Sequence, residues 1–273
     1  MFKPIDFDDK IFASSQFRKD EISFNLILTL IQKRDLFPQF RCYSDQKDVI
    51  ILNTDANHPV VVWTSENFND FESIYNFVSK VFLENEPLII TAKQSCYQFF
   101  QKRNWASDDE NTKILGVYKL DKLIGVEKHG YLDCVKSTDV EIVANMIKAF
   151  DKEALQEEKH PFSYYLEEAN KYTTFADTHK VWKNENGNIV SIGHINNSEN
   201  TGRIGRIYTI PEERGKSYAK MLVAELAKIT LKNNLIPVLY TNFQYEPSNK
   251  CYQAIGFELL NTIYTYPVKK IAK

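Results

Sequence analysis

One stretch constrains this chain more than any other: Ile204 to Ala227, IGRIYTIPEERGKSYAKMLVAELA. An apolar strand, Ile204 to Ile210, runs into a proline and a charged turn, Pro211 to Lys216. A long amphipathic helix follows from near Ser217. A helix begins with backbone N–H groups that have no intrahelical partner, and its dipole favours negative charge there. Arg214 and Lys216 add two cations at that point, and Gly215 lets a ligand approach the backbone closely. The combination is a seat for a phosphate, and best for a pyrophosphate. Neither G-x-x-x-x-G-K-[ST] nor G-x-G-x-x-G occurs, which excludes the two commonest phosphate loops.

A second constellation lies about 30 residues on, in LYTNFQYEPSNKCYQAIGFE. Asn249 and Tyr252 are three apart on a short helix and so share a face. Pro247 suits that helix's first turn, and Gly256 suits its C-terminal end.

Together the two stretches resemble the GNAT superfamily of acetyl-CoA-dependent N-acetyltransferases. Motif A of that family reads [QR]-x-x-G-x-[GA]. Arg214 takes its first place and Ala219 its last, while Ser217 stands where the family usually has glycine. In the second stretch Asn249, Tyr252, Gly256 and Phe257 fall in register with the family's C-terminal motif. The resemblance covers residues 130 to 267, about half of the chain. It implies a C-terminal mixed sheet flanked by helices and acetyl-CoA as cosubstrate. It further implies that Ile207, Tyr208, Thr209, Arg214, Gly215, Lys216, Ser217, Tyr218, Ala219, Asn242 and Asn249 hold the cofactor. The pantetheine arm would lie like an extra strand against Ile207 and Thr209, where two parallel strands splay apart. Tyr252 matches the general acid that protonates the leaving thiolate.

The general base stays open among His194, Glu167, Glu168, Tyr240 and a water chain, since the central strand carries Arg206 and Tyr208 instead of a glutamate. The leading expectation is transfer of an acetyl group to a primary amine by direct attack. A catalytically inactive CoA-binding regulatory module is the alternative, motivated by Ser217 and the missing base. A transferase of longer acyl groups is a third reading.

The rest of the chain sets the frame. Its 273 residues allow two ordinary domains, expected as 1–127 and 128–273. The fold class is α/β (α+β), with a GNAT-type C-terminal part behind an N-terminal α/β domain. In the N-terminal part, helical spacing runs from Lys19 to Lys33 and from Asn69 to Leu83. Strands are expected at Asp48 to Asn53 and Val60 to Thr64, paired as a hairpin, at Pro87 to Thr91, Lys113 to Lys119 and Leu123 to Val126, with a short helix at Gln94 to Lys102. No phosphate turn appears there. Its layout resembles the non-catalytic front half of two-part acyltransferases such as the glycine N-acyltransferase group, or a degenerate GNAT-like half. It is expected to be a scaffold.

The second part opens with a short strand, Tyr131 to Val135, and a helix beginning at Asp139 with Ser137 or Thr138 as its cap. Lys180 to Lys183 and Ile189 to Ile195 are expected as strands joined by Asn184 to Asn188, where Asn186-Gly187 is the hairpin signal. Net charge is −2, which leaves no broad basic field for nucleic acid. No apolar run is long enough to cross a bilayer. The four cysteines form no C-x-x-C pair and the five histidines are scattered, so free thiols, no metal and a cytoplasmic location are expected. The expected partners are acetyl-CoA and an amine acceptor, with no nucleic acid and no membrane, in a monomer or homodimer.

Overall fold

The computed structural model describes residues 1–82, 84–106, 111–155 and 160–269. In chain order the first elements are β1 (Lys3–Pro4), α1 (Ser15–Asp20), α2 (Asn25–Gln32), β2 (Arg41–Ser44), β3 (Val49–Asn53), β4 (Val60–Thr64), α3 (Phe71–Val81), β5 (Leu88–Lys93), α4 (Gln94–Lys102) and β6 (Lys113–Leu120). There follow β7 (Tyr131–Asp133), α5 (Val140–Phe150), α6 (Phe162–Thr174), β8 (His179–Lys183), β9 (Ile189–Asn197) and β10 (Thr201–Thr209). The chain ends with α7 (Tyr218–Lys232), β11 (Ile236–Asn242), α8 (Glu246–Gln253) and β12 (Phe257–Val268). The fold class is mixed α/β, as the alternation of elements predicts.

The chain forms two compact units. The first comprises Met1–Val117, Thr241–Tyr245 and Leu260–Lys273, and the second Tyr118–Tyr240 and Glu246–Leu259. In the first unit the sheet order is β1-β2-β3-β4-β5-β12. β3 and β4 form the expected hairpin, in unbroken register from Val49↔Thr64 to Leu52↔Val61. All ten of their residues are buried, five in each strand, so both faces of the sheet carry a core. Ile74, Val78, Phe100 and Tyr266 pack with Val60 and Val62 on one side. On the other, Phe17 meets Trp63 edge-on, and the Trp63 indole N–H donates to Asp20 at 2.9 Å.

The second unit's sheet runs β11-β10-β9-β8-β7. β10 and β11 are parallel, and the remaining pairs are antiparallel. α7 covers one face: Met221, Leu222 and Leu226 pack with Val190, Ile195 and Ile204. α5 and α6 cover the other, where Val143, Ile147, Tyr165 and Tyr172 pack with Val181 and Ile192.

Three expectations need correction. The helix predicted from Lys19 to Lys33 is two helices. Ser14 caps the first, accepting from the Phe17 N–H, and the chain turns at residues 21–24, where Asn25 donates to the Ile22 carbonyl. Leu123 to Val126 form no strand; a single bond from the Ile124 N–H to the Ile255 carbonyl holds that stretch. Ser137 and Thr138 lie inside a 3-10 turn and neither caps α5, whose capping residue Asp139 makes no side-chain capping bond. The expected hairpin of β8 and β9 is present: residues 184–188 join them, closed by the Asn184 N–H on the Asn188 carbonyl, with Asn184 Oδ1 accepting from the N–H groups of Asn186 and Asn188. The predicted end of α3 at Leu83 lies outside the described residues.

Candidate functional site

The site grows out of β10. Its ladder with β11 runs from Thr201↔Ile236 to Ile204↔Leu239 and stops there, although β10 continues to Thr209 and β11 to Asn242. The two parallel strands part, and the last five residues of β10 keep only β9 as a strand partner among the described residues. On the β9 side the register slips between Gly205↔His194 and Tyr208↔Ile192. Arg206 and Ile207 there face the single residue Gly193, a β-bulge. A Cβ on Gly193 would stand 2.5 Å from Ile207 Cδ1, so glycine makes room for the bulge.

The bulge sets Arg206 at φ 51, a conformation costing about 1 kcal/mol for a side chain with a Cβ. An ion pair to Glu168 on α6, at 2.8 Å, offsets that cost. Lys171 also pairs with Glu168. Burial pushes the Glu168 carboxyl up, but the bonds from Lys171 and Arg206 win and hold it below the usual carboxylate range.

Beyond β10 a 3-10 turn, Pro211–Glu213, leads to Arg214, Gly215, Lys216 and Ser217. Gly215 has φ 80 and nothing within 4 Å of where a Cβ would sit, so the turn's backbone is open on that side. Ser217 caps α7 in the left-handed conformation, φ 63, and its hydroxyl makes no capping bond. Ser217 thus leaves the first-turn N–H groups of α7 without a side-chain cap.

Both predicted cations are held locally. The Arg214 Nε donates to the Thr209 carbonyl at 3.0 Å, and its guanidinium pairs with Glu153 at 2.6 Å and lies over the Tyr208 ring. The Tyr208 hydroxyl donates to the same carboxylate at 2.9 Å. Burial first, and Glu153 second, push the Tyr208 phenol up to about 12. Lys216 pairs with Glu213 at 2.8 Å. His129 braces the turn from below: its Nε2 donates to the Lys216 carbonyl at 2.9 Å, and its ring meets Tyr218 edge-on. Glu153 and His129 escaped sequence reasoning. Glu153 lies 61 positions from Arg214, and nothing in the local pattern marks either residue.

Tyr252 is buried on α8 and meets Phe257 edge-on at 6.3 Å. Burial pushes its phenol well above the ordinary tyrosine range, so it is protonated at neutral pH. Asn249 lies one turn before it on the same helix. Ile207, Tyr208, Thr209, residues 214–219, Asn249 and Tyr252 all belong to the second unit. Asn242 belongs to the first, where its side chain closes a turn by accepting from the Gln244 N–H at 2.9 Å.

Among the expected bases, Glu168 is engaged as described, and His194 Nε2 lies 2.8 Å from Asn196 Nδ2. His194 also stacks on His179, whose imidazole is lowered to about 4, chiefly by burial and then by Arg206. All four cysteines are free. Among the described residues no cluster of His, Cys, Asp and Glu could hold a metal ion, and no helix is long and apolar enough to cross a membrane.

The parallel strands β10 and β11 part, and β10 leads through a short turn to a helix start without a side-chain cap. Residues 143–257 match the model of the acetyltransferase (GNAT) family. Solved structures share the fold along nearly the whole chain. One is a GNAT-family acetyltransferase from Colwellia psychrerythraea, at 11% identity and TM-score 0.57, covering 98% of this chain and 100% of that one. A Drosophila protein aligns at 8% identity and TM-score 0.65, covering 99% of each chain. A tandem GNAT protein from the clavulanic acid biosynthesis pathway aligns at 10% identity and TM-score 0.59, covering 100% of this chain and 99% of that one. At these identities the likeness is one of fold, and the tandem protein matches the two-part architecture. No curated protein sequence matches the chain.

Proposed function

We propose that the chain transfers an acetyl group from acetyl-CoA to a primary amine. The observation that carries the reading is the end of the β10–β11 ladder at Ile204↔Leu239, with β10 running on through a short turn to a helix start whose cap, Ser217, makes no side-chain bond. The backbone of residues 207–209 pairs with the pantetheine arm, and the N–H groups of residues 215–219 bind the pyrophosphate. Arg214 acts mainly as a brace, since its guanidinium is committed to Thr209 and Glu153. Lys216 is the more available cation, at half exposure.

The amine nitrogen attacks the thioester carbonyl, a backbone N–H of the parted strand stabilises the oxyanion, and the C–S bond breaks. Tyr252 faces the departing sulfur. Its raised pKa favours donation of a hydrogen bond to the thiolate over early loss of its proton. The amine's proton leaves through water or His194. The N-terminal part of the chain serves as scaffold.

The pairing of Glu168 with Arg206 and Lys171 favours a second reading, a CoA-binding module without a competent base. Replacing Tyr252 by Phe separates the two. For a transferase, kcat falls at least tenfold while the Kd for CoA changes less than about twofold, a loss of roughly 1.4 kcal/mol in the transition state alone. CoA binding without transfer to any amine of a broad panel favours the module.

A further inference from the structure

β10 carries two arginines that are held differently. Arg206 is neutralised by Glu168. Arg203, three residues earlier, has no ion pair among the described residues. Its Nε is cut off from solvent and makes no hydrogen bond. The Tyr240 ring flanks the guanidinium, whose carbon lies 5.6 Å from the ring centroid. A guanidinium stays charged in proteins, so this is a half-buried cation with a π-face beside it and no counter-ion among the described residues.

Its place in the sheet gives that isolation a meaning. Arg203 pairs with Asn196 on β9 and Val238 on β11, one residue before the ladder ends. Strand alternation puts it on the opposite face from Ile204, which lies in the α7 core. Arg203 therefore stands on the α6 side of the sheet at the point where the strands part. Its companions on that face are Asn196 and His194, joined at 2.8 Å, and His179, cross-strand partner of His194. None of them carries negative charge, and Glu168 is already taken by two cations.

The geometry points to Arg203 as the receptor for a carboxylate on the acceptor, which makes the substrate class amines that also bear a carboxylate: amino acids and their close relatives. This rests on the transferase reading. The planar guanidinium offers two parallel N–H groups to a carboxylate, and the Tyr240 ring lies beside it.

The test is calorimetry on the full chain with a panel of N-acetyl amino acids, each against its primary amide, starting with N-acetylglycine and N-acetylglycinamide. Every titration is run with and without saturating CoA. At least one acid is expected to bind at least tenfold more tightly than its amide. Arg203→Gln abolishes the difference, bringing acid and amide within about twofold, and Arg203→Lys keeps part of it. If no pair discriminates in the natural chain, or if Arg203→Gln still discriminates, the assignment is overturned. The CoA affinity of each variant reports its folding; should Arg203→Gln lose it, the Lys variant decides. Failure of the natural chain to bind CoA would instead strike the transferase reading, and the CoA-free titrations would still read Arg203.

Discussion

Each unit contains a parallel β-α-β crossover, and the two end differently. In the first, β4 leads through α3 to β5, with Val60↔Ile90 and Val61↔Thr91 paired. In the second, β10 leads through α7 to β11. The N-terminus of α3 is closed by its own sequence: Asp70 caps it, accepting from the Ser73 N–H at 3.2 Å, and Glu72 adds charge in the first turn. The N-terminus of α7 is capped by Ser217 without a side-chain bond, has no acid in its first turn and follows a glycine at φ 80. β4 is in regular register with β3, whereas β10 is bulged against β9. The same crossover is thus satisfied internally in one unit and left open in the other. A carboxylate at the helix start occupies the place of an anion and repels one. That is a physical reason to propose a scaffold role for the first unit, independent of any missing motif.

The bulge gives the largest expected effect on stability. Glu168→Ala leaves Arg206 as a buried cation at a left-handed position and should cost about 2 kcal/mol, less than for a fully buried pair because both side chains keep some exposure. Denaturant unfolding with an unchanged m-value checks it. A cost under about 0.5 kcal/mol would remove the ion pair from the difference between the units.

Acid unfolding sharpens the same contrast. The His179 imidazole, lowered to about 4, titrates near 6.5 in the unfolded chain. Between those values the unfolded state binds the extra proton, so the stability this group contributes is full above pH 6.5 and is lost as pH falls towards 4. Partial exposure of the ring discounts the loss to on the order of 1–2 kcal/mol. His179→Phe should flatten that part of the stability curve, as followed by melts between pH 4 and 7.

A smaller effect lies in the first unit. Asp70→Ala removes the α3 cap and should cost about 1 kcal/mol while leaving acetyl-CoA affinity untouched. A change in affinity would mean that the closed crossover takes part in binding.

Much of this was legible in the residues. The β3–β4 hairpin, α3, β5, α4 and α7 follow from apolar spacing because each is buried on the face its pattern marks. The turn at 214–217 was legible because strand, basic residues and helix adjoin in sequence. The bulge was not: glycine is the residue expected at a left-handed bulge position, and Arg206 takes that conformation because α6 supplies Glu168 from 38 positions away. The Arg214–Glu153 pair and the isolation of Arg203 are likewise products of tertiary packing. The break between α1 and α2 was hidden by a helical apolar period that runs through both.

The most direct test of the open-crossover account makes the second helix start like the first. Ser217→Asp places a carboxylate where Asp70 stands on α3, at a left-handed position that aspartate tolerates. Titrating acetyl-CoA calorimetrically into the natural chain and this variant, we expect micromolar binding to the former and about 100-fold weaker binding to the latter, a loss of about 2.7 kcal/mol, with the melting temperature unchanged or raised. Equal affinity in the two proteins, or no binding to either, would contradict it.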